Sequence, residues 1–91
     1  MQVKLYASLR QAAGIKMMDI ELGTRTTINE VLLEVTHRYS ALDEFIWKED
    51  GGLSEHAHVF INSENINHLA GLETIVTETD KVDIFPPLVG G

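Results

Sequence analysis

Cysteine is absent from the 91 residues, which removes disulfides, thiolate metal sites and a cysteine nucleophile in one step. The absence also fits a reducing compartment. No run approaches the ~20 apolar residues of a membrane-spanning helix, and residues 1–20 lack the basic start and apolar stretch of a signal peptide. A cytoplasmic location without membrane contact is therefore expected. Basic side chains are scarce: seven Lys and Arg stand against fourteen Asp and Glu, a formal net charge of −7. Such a surface repels phosphate backbones, so nucleic acid is not an expected partner. It favours encounter with a basic protein surface, and it equally serves plain solubility. Proline occurs twice, as the adjacent pair Pro86-Pro87. A phosphate-cradling glycine loop is missing too, because Gly51-Gly52 lacks a flanking strand and helix.

What remains suffices for one small domain. Apolar residues make up 44% of the chain, enough for helix packed on sheet without covalent staples. Val3, Leu5 and Ala7 alternate with Lys4 and Tyr6, the pattern of a strand with one buried face. Met18, Ile20 and Leu22 repeat it, and Ala12-Ala13-Gly14 suits a hairpin turn between the two runs. Gly23 to Thr26 breaks the pattern. Thr27-Ile28-Asn29-Glu30 is a capping box, followed by Ile28, Val31, Leu32, Val35 and Tyr39 at helical spacing, which predicts a helix of about 12 residues. Ala41 to Lys48 reads as a short second helix that Gly51-Gly52 ends. Ala57, Val59 and Ile61 form a third strand, Asn62 to Asn65 a turn, and Ile66 to Leu69 a short edge strand. A tight turn at Ala70 to Glu73 and a polar turn at Thr77 to Asp80 lead to a last strand with Val82 and Ile84 inward. Pro86-Pro87 end it, since neither can donate to a ladder. With the first and last strands central and parallel, the result is an α+β, β-grasp (ubiquitin-like) roll: a mixed four- to five-stranded sheet packed on one main helix. Residues 1–87 make the domain, and residues 88–91 a flexible Gly-Gly tail.

Tyr6, Phe60 and Phe85 fall out of register with the core positions of their strands and so share the free sheet face. Exposed aromatic patches of this kind mark partner surfaces, unless the 40–55 segment covers them. Arg10, with Arg25 the nearest other arginine along the chain, is a candidate for pairing with an acidic partner site or a solvated residue. His56 and His58 have the spacing of two metal ligands, but no third ligand is placed, and no metal is expected. Asp43-Glu44 and Glu49-Asp50 resemble paired carboxylates without a pocket to shift their pKa values.

The chain ends on Leu88-Val89-Gly90-Gly91 directly after Pro86-Pro87. Glycines lack a Cβ and pass through a slot too narrow for other residues. The four residues span at most ~14 Å, and the fixed φ of the two prolines directs them away from the domain. The group delivered is the Gly91 α-carboxylate, which becomes reactive once ATP converts it to an acyl-adenylate.

The opening Val3 to Arg10, the middle Val59-Phe60-Ile61-Asn62 and the closing Phe85-Pro86-Pro87-Leu88-Val89-Gly90-Gly91 resemble the MoaD/ThiS family of β-grasp sulfur carriers. Phe-Pro-Pro before the tail is more like MoaD, the small subunit of molybdopterin synthase. Residues 65–74 are similar to archaeal MoaD-like proteins, some of which act as small protein modifiers. The resemblance implies a non-catalytic carrier without a cofactor. Gly91 would be adenylated by a MoeB-like, ubiquitin-activating-type adenylyltransferase and then thiocarboxylated. Its sulfur would be delivered, with a MoaE-like large subunit, to a molybdopterin or tungstopterin precursor. The alternatives are conjugation of Gly91 to lysines of target proteins, and a β-grasp interaction module with an inert tail. Leu88-Val89 replaces the smaller pair common in the family, and Thr79 stands where glycine is usual in the turn.

Overall fold

The computed structural model describes residues 1–87. The chain runs β1 (Gln2–Leu5), α1 (Ser8–Ala13), β2 (Met17–Asp19), β3 (Arg25–Thr27), α2 (Ile28–Arg38), α3 (Asp43–Ile46), β4 (His58–Ile61), β5 (Glu64–Asn65), β6 (Ile75–Thr77) and β7 (Lys81–Phe85). Single 3-10 turns occupy Ser40–Leu42, Ile66–His68 and Gly71–Glu73. Five strands form one sheet in the order β2-β1-β7-β4-β5. β1 and β7 are parallel neighbours, with Val3 beside Val82 and Leu5 beside Ile84. The remaining pairs in the sheet are antiparallel, so it is mixed. The expected β-grasp roll with its central parallel pair is the fold observed.

Alternation decides which face is buried. Val3, Leu5, Val59, Ile61, Val82 and Ile84 all point to one side and are buried there against Ile28, Val31, Leu32 and Val35 of α2. Thr27 caps α2 as its sequence predicts, its Oγ1 accepting from the Glu30 N–H at 3.3 Å. The other half of the expected capping box is rerouted: the Glu30 carboxylate accepts from the Thr26 hydroxyl at 2.7 Å.

Several local expectations are corrected. The hairpin turn expected at Ala12-Ala13-Gly14 is instead the end of α1, which buries Leu9 and stops at Gly14 in the left-handed region. Ala7 therefore leaves the strand instead of continuing its inward alternation. The Gly23 to Thr26 break overlaps β3, whose partner is β6, with Arg25 opposite Thr77 in a separate two-stranded ladder. The edge strand lies at Glu64–Asn65, within the expected turn, and Ile66–His68 is a 3-10 turn that buries Ile66. α3 ends where Trp47 becomes extended, so Gly51-Gly52 is not its stop; Gly51 lies in the small loop closed by the Trp47–Leu53 bridge. No helix among the described residues is long and apolar enough to cross a membrane.

Candidate functional site

The sheet face opposite α2 carries the outward residues of β1, β7 and β4. Because Leu5 pairs with Ile84 and His58 with Phe85, the register brings Tyr6, Phe85 and the β4 side chains together. Tyr6 stacks on Phe85 with ring centroids 4.1 Å apart and planes 11° from parallel. Phe60 meets Phe85 edge-on at 5.4 Å. All three are half-buried. Offset-stacked and edge-to-face geometries are the favoured ones for aromatic quadrupoles.

Polar groups frame the cluster. The Tyr6 hydroxyl donates to Asp83 Oδ1 at 2.8 Å. That bond to a carboxylate, aided by partial desolvation, raises the Tyr6 pKa, since ionisation would sacrifice the donor and set two negative charges together. Arg10 Nε donates to the Leu5 carbonyl at 3.3 Å, and its guanidinium lies 5.8 Å from the Tyr6 ring centroid. Arg25, on β3, does not line this groove.

Between α1 and β4 the aromatic cluster floors an apolar groove that runs to Pro86 and Pro87. Glu44 and Phe45 of α3 form one wall, and His56 and His58 contribute another. The 40–55 segment thus flanks the aromatic residues and leaves them accessible. His56 precedes β4 and sits 4.0 Å from Glu55 at an exposed position. Among the described residues no three His, Cys, Asp or Glu side chains are grouped to hold a metal. Asp43 opens α3, and Asp50 accepts from the Gly52 N–H at 2.8 Å as a turn residue. Leu88, Val89, Gly90 and Gly91 lie outside the described residues.

Two contributors escaped the sequence reading. Asp83 alternates with Val82 and Ile84, so its outward position was readable, but its pairing with Tyr6 depends on the parallel register. Phe45 reaches the groove through α3, and no local pattern signals that. Chemically, the face presents apolar area and aromatic edges leading to a proline pair.

The model of the ThiS family matches residues 3–91. Small archaeal modifier protein 3 of Haloferax volcanii is 29% identical over 91 residues, covering 100% of this chain and 98% of its own. The sulfur carrier protein CysO of Mycobacterium tuberculosis is 27% identical over 67 residues, 71% of this chain and 72% of its own. The solution structure of small archaeal modifier protein 1 from Methanosarcina acetivorans superposes with a TM-score of 0.84 at 38% identity, covering 99% of this chain and 94% of that one. These relatives are named as carriers and modifiers, not as enzymes. A family match along nearly the whole chain and a shared β-grasp architecture lead to one assignment: the chain belongs to the ThiS family, among the ubiquitin-like sulfur carriers and small archaeal modifiers.

Proposed function

We propose that the Gly91 α-carboxylate is the working group of this protein and that the domain is the handle by which an activating enzyme holds it. The observation that supports this reading best is the aromatic groove running to Pro86 and Pro87, just before Leu88-Val89-Gly90-Gly91. The chemistry asks no acid, base or nucleophile of the side chains. A carboxylate oxygen of Gly91 attacks the α-phosphorus of ATP, pyrophosphate leaves, and an acyl-adenylate forms. Hydrosulfide, supplied at the sulfide level by a sulfur donor, then displaces AMP and leaves a thiocarboxylate. A MoeB-like adenylyltransferase is the expected partner for the first step. Transfer to a pterin precursor with a MoaE-like subunit is the expected use of the sulfur.

Small archaeal modifiers among the relatives favour a second use of the same adenylate, in which a lysine amine of a target protein displaces AMP and an isopeptide bond forms. One incubation separates the two. With activating enzyme, ATP and a sulfur donor, the carrier reading expects a single sulfur-for-oxygen exchange in the intact mass. The modifier reading expects slow-migrating conjugates that vanish when Gly91 is deleted. Lys81 is the last tryptic site, so a modified lysine would retain the ten residues Val82 to Gly91. An extra alanine after Gly91 should abolish both products. Undiminished product from that variant, or no product from the natural sequence, overturns the proposal.

A further inference from the structure

We infer that Tyr6 and Asp83 act as a positioning pair whose hydrogen bond locks Phe85, and with it the Pro86-Pro87 step, into one exit direction. The inference rests on the reading of Gly91 as the reactive group. Tyr6 touches β7 at two points two residues apart: its hydroxyl bonds Asp83 at 2.8 Å and its ring stacks on Phe85 at 4.1 Å. Phe60 closes the other side of Phe85 edge-on. The turn that follows Tyr6 is held by the Leu9 N–H donating to the Tyr6 carbonyl at 3.1 Å.

Orientation set at Phe85 is transmitted onward. A residue before proline is confined to extended conformations, and each proline fixes its own φ, so few soft torsions separate the clamped ring from Leu88. The hydroxyl itself has little other use. A phenylalanine would offer a partner the same ring area, and the Tyr6–Asp83 bond is satisfied within the chain. It also lies on the face opposite the core, where its loss leaves the packing under α2 untouched.

The test titrates the carrier against a MoeB-like activating enzyme and follows ATP–pyrophosphate exchange. Tyr6→Phe and Asp83→Ala should each lower the maximal exchange rate about threefold to tenfold, because a misdirected chain end reaches the nucleotide less often. The half-saturating concentration should move less than about twofold, and melting temperatures should stay near that of the natural protein. Asp83→Asn, whose amide oxygen still accepts from the hydroxyl, should restore the rate, and the double variant should be no slower than either single one. An undiminished maximal rate, or a loss confined to half-saturation or to melting temperature, overturns the inference. A second measurement needs no enzyme: the heteronuclear 15N NOE of the Phe85 amide should fall in Tyr6→Phe, and an unchanged NOE overturns the clamp. Should the natural protein support no exchange at all, the reading of Gly91 fails while the NOE comparison still decides the clamp.

Discussion

Ala7 holds φ 52° and ψ −124°, a conformation that glycine adopts freely and a residue with a Cβ does not. With the Leu9 N–H bonded to the Tyr6 carbonyl, it occupies the first central position of a type II′ turn. A conformation this rare costs of order 1–3 kcal/mol and persists only where the surroundings impose it. Here they are the end of β1, fixed by the Tyr6 N–H to the Ile84 carbonyl at 3.2 Å, and the start of α1. Ala7→Gly should therefore stabilise the fold even though glycine loses more entropy on folding. The two effects leave a net gain of about 1 kcal/mol, or roughly 5 °C in melting temperature for a domain of this size. Thermal unfolding checks it, and a lower melting temperature would mean that the backbone relaxes at Ala7 without help. Asn62 and Ser63, at φ 50° and 72°, form the two-residue loop between β4 and β5 with both residues in the left-handed region, where asparagine is tolerated better than serine.

The turn between β6 and β7 is held by side chains as well as backbone. The Asp80 carboxylate accepts from Asn62 Nδ2 and from the Thr77 N–H, each at 2.8 Å, while Asn62 Oδ1 accepts from the Lys81 N–H at 3.0 Å. The β4–β5 hairpin is thereby tied to the entry of β7. The hydrogen bond from Asn62, and after it that from Thr77, lowers the Asp80 pKa. A carboxyl depressed in the folded state adds stability that is present above its unfolded pKa, near 4, and is lost as pH falls through the lower folded value. Asp80→Asn should then be less stable at neutral pH and show a flatter decline below about pH 4. Urea midpoints measured across pH decide this, since parallel profiles would remove Asp80 from the acid limb. Such ties explain which elements could be read from sequence. The helix α2 and strands β1, β4 and β7 carry repeated local patterns, so their period alone places them. Three-residue β3 and β6 lack a pattern, and only pairing across some fifty residues makes Arg25–Thr27 a strand. α1 hides because one and a half turns bury a single residue, Leu9, too few for a helical period to emerge. The aromatic face was readable from alternation, whereas the Tyr6–Asp83 bond and the Phe45 wall required tertiary register.

At the scale of the whole molecule, β7 is the member that fold and candidate site share. Its inward residues Val82 and Ile84 are fully buried under α2, and its outward residues Asp83 and Phe85 build the aromatic face. β7 also sits between β1 and β4, so each face draws on both neighbours. This two-sidedness predicts a dissociation between stability and docking. Ile84→Ala removes buried methyl groups from the centre of the core and should cost about 2–5 kcal/mol, lowering the melting temperature by roughly 10 °C or more. Below that temperature the folded molecules still present Tyr6, Phe60 and Phe85, so affinity for an activating enzyme should change little. Phe60→Ser acts on the opposite face: it should leave the melting temperature within a few degrees and weaken docking about tenfold or more, as expected for a central aromatic anchor. Calorimetric melting and a binding titration on both variants give four numbers, and the expected pattern is crossed. A Phe60→Ser protein that melts as early as Ile84→Ala would place Phe60 in the core and overturn the docking proposed for this face.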